Sequence, residues 1–202
     1  MSQKFSSDDI EMLSQRTLYQ GFFRLDEYRF KHRLFRGGWS EVVTREVFER
    51  GHAVVVLPYD PKEDKVVLIE QIRIPVFSAT EQPWLLELVA GMIEDGESAE
   101  QVAHRELHEE AGLVANKMEF ISHYFSSPGG TSERFDFYWA EVDAISATGI
   151  HGLSEEHEDI KVHVMSREAA YQAACDGVIN NASTVIGLQW LQLNYLKIRA
   201  KS

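Results

Sequence analysis

The stretch from Ser98 to Leu113 limits this chain's fold more than any other, because it reads as one helix whose apolar stripe carries carboxylates. Ser98 followed by Gln101 is a capping-box start, and Gly112 after Glu110-Ala111 is a helix stop. At about 100° per residue, Ala99, Val102, Ala103, Glu110 and Leu113 fall within about 60° of Glu106. Glu109 lies at the edge of that arc, while Gln101, His104 and His108 point the other way. A short amphipathic helix gains its stability by burying its apolar stripe. The fold must therefore bury acids along with it.

Desolvated carboxylates in a cluster are costly unless cations compensate them. Arg105 is placed to neutralise one of them, Glu97 or Glu109. For the rest, hard oxygen ligands suit Mg²⁺ or Mn²⁺, with a phosphate-bearing substrate completing the coordination. A solvated acidic helix is the plainer alternative. It accounts for Glu94, Asp95 and Glu100, but not for Glu106 and Glu110, since other polar residues already fill the opposite face.

His104 and His108 share the i, i+4 spacing of a zinc-protease helix, but Arg105 stands where that chemistry needs glutamate. Gly91 to Gly96 lacks the lysine and hydroxyl residue of a phosphate-binding P-loop.

The net charge of −12 argues against sequence-independent nucleic-acid binding, which needs a basic surface. It also means that an anionic substrate must be drawn in by bound cations and local arginines. Cys175 is the one cysteine, so no intrachain disulfide can form, and it reads as a packed helix residue. Residues 1–15 are polar, and the apolar run Ala53–Pro58 is too short to span a bilayer. The expectation is a cytoplasmic chain without a membrane segment.

Along the chain, residues 17–36 read as aromatic-rich strand, 41–57 as a strand pair, and Val66–Ile74 as a further strand after the turn Pro58–Asp64. Trp84–Val89 reads as a short buried strand, and strands near 117–125 and 134–142 follow the acidic helix. A loop at 143–159, a strand at Ile160–Met165, a helix capped by Ser166 and a closing helix over Asn181–Ile198 complete the chain. This order predicts an α/β mixed sheet with helices on both sides, preceded by an N-terminal antiparallel β element. Residues 1–45 form that element and residues 46–202 the main domain. The element has little core of its own, and pairing with a second subunit would cover it.

Two further stretches are candidate sites. Ser127-Pro128-Gly129-Gly130-Thr131-Ser132-Glu133-Arg134 is a small-residue loop whose amides can meet phosphate or ribose oxygens, or simply a surface loop. Ser154-Glu155-Glu156-His157-Glu158-Asp159 is an acidic loop, solvated unless the chemistry needs a distal base. Arg45 and Arg73 sit in strand-like segments, available for phosphate and adenine or for an ion pair with an acid of the chain.

Gly91, Glu97, Arg105, Glu106, Leu107, Glu109, Glu110, Gly112 and Leu113 match G-x5-E-x7-R-E-U-x-E-E-x-G-U, with U aliphatic, at every position. The chain thereby resembles the Nudix hydrolases, which implies an α/β/α sandwich and metal-dependent hydrolysis of a nucleoside diphosphate linked to another group. Pro128, fifteen residues beyond Leu113, and the run Gly149–Ile160 resemble the ADP-ribose pyrophosphatase branch of that family. That resemblance implies hydrolysis of ADP-ribose to AMP and ribose 5-phosphate.

It also implies roles for individual residues. Glu156 is the general base, and Mg²⁺, with Mn²⁺ as a substitute, is held by Glu106, Glu110, Glu158 and the Ala90 carbonyl. Arg45, Glu46, Arg73, Met92 (by its backbone), Ser127, Gly129 and Glu133 contact substrate. Phe22 and Phe23 reach in from the partner of a homodimer with exchanged N-terminal strands. Glu109 is left between holding Arg105 and holding a water beside the metal. The rival readings are hydrolysis of another nucleoside diphosphate sugar, such as ADP-glucose, and non-catalytic sensing of ADP-ribose.

Overall fold

The computed structural model describes residues 5–201. Their contacts divide them into two compact units: the chain up to Gly51 together with Phe125–Arg134, and His52–Tyr124 together with the chain from Phe135 onward.

The first unit opens with a 3₁₀ turn over Ser7–Asp9, capped reciprocally by Ser6 and Asp9. Three antiparallel strands follow: β1 (Ile10–Gln20), β2 (Arg24–His32) and β3 (Val43–Glu49). Strand therefore starts at Ile10, ahead of the expected residue 17. The polar composition of this segment hid it, since every residue of β1 is exposed and no burial alternation marks it. Asp26 is the buried charge of this sheet. It accepts hydrogen bonds from Gln15 Nε2 (3.0 Å), Thr17 Oγ1 (2.8 Å) and Arg24 Nε (3.0 Å).

The second unit begins with β4 (Ala53–Asp60) and β5 (Lys65–Ile72), then β6 (Trp84–Glu87), β7 (Val89–Met92) and α1 (Ala99–Ala111). It continues through β8 (Lys117–Phe125), β9 (Arg134–Glu141), β10 (Ile150–His151) and β11 (Ile160–Ser166) to α2 (Arg167–Cys175) and α3 (Ala182–Arg199). The loop joining β8 to β9 belongs to the first unit. The eight strands run β10-β11-β5-β4-β9-β8, with β6 added to β5 and β7 to β4. Strands β4 and β9 pair in parallel, so the sheet is mixed.

Alternation along its central strands gives the sheet two buried faces. Val54, Val56, Val67, Ile69, Tyr138 and Ala140 meet Val102, Ala103, Leu107 and Ala111 of α1. Val55, Leu57, Val66, Leu68, Phe137 and Trp139 meet Ala170, Leu188 and Leu191 of α2 and α3. The result is the expected helix–sheet–helix sandwich. At Gly187, α3 comes so near the sheet that a Cβ would lie 2.6 Å from Leu88 Cδ1 and 3.1 Å from Phe137 Cζ.

Three sequence expectations need correction. The segment Trp84–Val89 is not one buried strand: Leu88 separates β6 from β7, and Trp84 is exposed at the hairpin end. Cys175 is exposed at the last turn of α2 rather than packed. The loop at 143–159 contains two 3₁₀ turns and β10, which its Gly and acidic composition concealed. Among the described residues, no helix is long and apolar enough to cross a membrane.

Candidate active site

Helix α1 begins and ends as its sequence requires. Ser98 Oγ accepts from the Gln101 N–H (3.3 Å), and Gln101 Oε1 accepts from the Ser98 N–H (3.0 Å). Gly112 closes the helix at φ 65°, a left-handed conformation costly for residues bearing a Cβ. Val102, Ala103, Leu107 and Glu110 are buried together, while Gln101, His104 and His108 are exposed. The carboxylates do turn inward.

Arg105 neutralises more of them than the sequence suggested. Its Nη1 donates to Glu106 Oε1 (2.8 Å) and Glu109 Oε2 (3.0 Å), and its Nε and Nη2 reach the two Glu97 oxygens at 3.3 Å. Glu109 therefore holds Arg105, one of the two roles left open for it. Opposite the helix, the Ala90 N–H on β7 donates to Glu110 Oε2 (2.9 Å). A side chain on Gly91 would collide with the Glu106 carboxylate, so glycine here is a matter of space.

The acidic loop packs on the C-terminal end of α1. The Gly152 N–H donates to the Glu109 carbonyl (3.1 Å), and the His151 ring lies where a Cβ on Gly112 would fall. Glu158 Oε2 accepts from the Leu153 N–H (3.1 Å), closing the loop on itself. Glu156 ends the 3₁₀ turn Ser154–Glu156 and is exposed.

The electrostatics show what this packing costs. Burial pushes the Glu106 carboxyl up to about 7; Arg105 opposes the rise, and Glu109 and Glu158 add to it. Burial also raises Glu110 well above the ordinary carboxylate range; the Ala90 N–H opposes this, Glu106 and Glu158 add to it, and Arg73 opposes it. Arg73 and Glu158 thus both act on the Glu110 carboxylate. Arg73 also makes the ion pair that was its alternative reading, through Nε to Glu87 Oε2 at 2.8 Å.

The remaining expected contacts, Met92 on β7 excepted, lie in the first unit. Arg45 and Glu46 are exposed on β3, and Arg45 Nη1 donates to the Thr44 carbonyl (2.8 Å). Phe22, 88% exposed, packs edge-on against Phe23, which in turn meets Phe48. The Ser127 carbonyl accepts from the Gly130 and Thr131 N–H groups, and around Gly129 the space is open. Glu133 is buried and pairs with Arg50 at 3.0 Å. Met92 closes β7 opposite Ala53.

The donor set of Glu106, Glu110, Glu158 and the Ala90 carbonyl is all oxygen and suits a hard divalent cation. Its excess of buried negative charge fits such a cation as well. Among the described residues, no three acid, histidine or cysteine side chains are gathered tightly enough to chelate an ion. Glu106 Oε1 faces Arg105 instead, and holding a cation through that oxygen would mean giving up this bond.

Residues 49–183 match the NUDIX domain family. The chain belongs to that family. Among its relatives, an ADP-ribose pyrophosphatase of Escherichia coli (strain K12) is 57% identical over 195 residues, covering 96% of this chain and 93% of the relative. An ADP-ribose pyrophosphatase of Haemophilus influenzae is 54% identical over 200 residues, covering 98% and 92%. A GDP-mannose pyrophosphatase of Pectobacterium atrosepticum is 33% identical over 184 residues, covering 91% and 94%. A crystal structure of an ADP compounds hydrolase superposes with a TM-score of 0.71 at 20% identity, covering 98% of this chain and all of the other, which supports the NUDIX fold.

Proposed function

We propose that this NUDIX enzyme hydrolyses the pyrophosphate bond of ADP-ribose, giving AMP and ribose 5-phosphate. The observation that carries the reading is the inward-facing Glu106 and Glu110 pair, held by Arg105 and the Ala90 N–H, in a strand–loop–helix stretch that satisfies the whole family signature. Near-full-length identity of 57% to an ADP-ribose pyrophosphatase supports the choice of substrate.

Glu106, Glu110, Glu158 and the Ala90 carbonyl would hold Mg²⁺, or Mn²⁺ in its place. When bound, the metal neutralises diphosphate charge and makes a water acidic enough to deprotonate near neutral pH. Glu156 would be the general base that takes a proton from the attacking water. Arg73 presents its guanidinium to the diphosphate, and Arg45, Glu46, Met92, Ser127, Gly129 and Glu133 position the rest of the substrate. Phosphoryl transfer depends mainly on positioning and charge neutralisation, which is what carboxylates, arginines and loop amides supply.

The test is release of AMP from ADP-ribose under Mg²⁺, compared by kcat/KM with ADP-glucose and GDP-mannose. The expected order puts ADP-ribose first by at least about tenfold, or about 1.4 kcal/mol of transition-state binding. A higher value for GDP-mannose would favour the reading that the 33% relative suggests. ADP-ribose bound but not cleaved would mark a sensor.

The reading includes a homodimer in which residues 1–45 are exchanged, and Phe22 and Phe23 enter the partner's site. Support comes from β1, exposed along its whole length with Ile10, Met12, Leu13 and Leu18 among the exposed residues. Apolar side chains exposed along an edge strand are a liability in a lone subunit. Sedimentation should give about twice the 23.1 kDa chain mass; a single-chain mass would refute the exchange. A cytoplasmic location also belongs to the reading, supported by the lone Cys175.

A further inference from the structure

Glu87 has no place in the family signature, yet it is the acid to which Arg73 is tied. Its side chain is 13% exposed, against 42% for Arg73. Strand alternation explains where it sits. Leu86, Leu88 and Ala90 pack with the cluster under α2 and α3, whereas Val89 packs under α1. Glu87 therefore faces the α1 side, the side of Glu106 and Glu110. Strand β5 reaches the same face through Val67 and Ile69, and period-two alternation carries it on to Gln71 and Arg73.

The backbone on either side of Glu87 is fixed by the start of α3. Asn181 caps that helix by accepting from the Thr184 N–H (3.1 Å), and its Nδ2 donates to the Leu86 carbonyl (2.7 Å). Thr184 Oγ1, fully buried, accepts from the Leu88 N–H (2.9 Å). These bonds satisfy the backbone at the step between β6 and β7, where the ladder to β5 stops. Just past the end of β5, the Arg73 N–H donates to the Pro83 carbonyl (2.8 Å), which fixes the other end of the ion pair.

The way Glu87 grips Arg73 matters more than the fact of the pair. A bidentate bond through both terminal nitrogens would occupy the fork that recognises phosphate. Here Glu87 Oε2 takes Nε at 2.8 Å, and no other hydrogen bond or ion pair is drawn from the Arg73 side chain among the described residues. The guanidinium is held from the side, with its terminal nitrogens left for a ligand. We infer that Glu87, braced from behind by Asn181 and Thr184, is the positioning residue that sets the angle of Arg73 toward the diphosphate. The inference rests on the reading of Arg73 as a substrate contact.

The test is Glu87→Gln, alone and combined with Arg73→Ala. Glutamine keeps the shape and can still accept from Nε, but without charge the grip weakens. KM for ADP-ribose should rise about tenfold while kcat stays within about threefold, because ground-state alignment is lost and the carboxylates on α1 are untouched. On the Arg73→Ala background the same change should add nothing to KM. A merely structural Glu87 would instead lower kcat through a smaller folded fraction and leave KM unaltered. That result, or additive effects in the double variant, overturns the assignment.

Calorimetric binding of inorganic pyrophosphate with Mg²⁺ provides a readout independent of turnover. Glu87→Gln should weaken it by a similar factor. If the wild type binds pyrophosphate but does not cleave ADP-ribose, the substrate reading fails and the binding data still decide the role of Glu87. Equal pyrophosphate affinity in wild type and variant, or none in either, refutes it.

Discussion

Glu110→Gln should make the metal-free protein more stable above pH 7 while removing its response to Mg²⁺. The carboxylate is buried and its proton affinity is raised, by burial first and then by Glu106 and Glu158. A group whose proton affinity is higher in the folded state than in the unfolded one stabilises the fold at low pH. That contribution is lost as pH rises through the folded value. Glu106 obeys the same rule, and its window runs from the ordinary 4.5 to about 7. The metal-free wild type should thus melt at a lower temperature at pH 8 than at pH 5.5, and Mg²⁺ should restore the loss by binding the native state.

Glutamine at position 110 still accepts the Ala90 N–H but carries no charge to desolvate, so its melting temperature should depend less on pH. Mg²⁺ should no longer raise it, and turnover should fall by about a hundredfold or more, since even groups that only support metal ligands are worth tenfold to a hundredfold. A Mg²⁺-induced melting shift equal to that of the wild type would remove Glu110 from the ligand set.

Much of the site was legible because two periodicities conflicted. Acids at Glu106 and Glu110 fell on a stripe otherwise made of Val102, Ala103 and Leu113, and a helix cannot bury one without the other. The sandwich followed from strands and helices arriving in a recognisable order. Arg105 was read as the partner of one acid, whereas it serves Glu97, Glu106 and Glu109. Its planar fork reaches several neighbours at once, and helical spacing alone does not show how many.

Glu87 was missed although a signal was present. It stands between Leu86 and Leu88 in an apolar run, and a charge among apolar neighbours calls for a partner. That partner, Arg73, is fourteen residues away across a hairpin whose register no local pattern reveals. The anchoring of Leu86 and Leu88 by Asn181 and Thr184 was less accessible still, because those bonds span about half the chain. Cys175 departs from its expected packing for a different reason. Cysteine is usually buried, but the last turn of α2 points this one to solvent.

Glu156→Gln should cut kcat by about two orders of magnitude or more, the range typical of a lost general base, and leave KM within about twofold. The two proposed roles fall on side chains in different surroundings. Glu158 turns back to the Leu153 N–H and acts on Glu106 and Glu110, whereas Glu156, two residues earlier on the same loop, stays exposed. The Gly152 N–H bond to the Glu109 carbonyl ties that loop to the helix carrying the acids. Losing the carboxylate removes the proton acceptor but leaves Arg73 and the ligand acids in place, which is why affinity should persist. The pH profile should change as well, because turnover that no longer has a base must draw on hydroxide and will climb with pH. Glu155→Gln is the control, sharing the turn, the charge and the exposure. If that neighbour costs turnover and Glu156→Gln does not, the base is Glu155; if neither does, the proton leaves by another route.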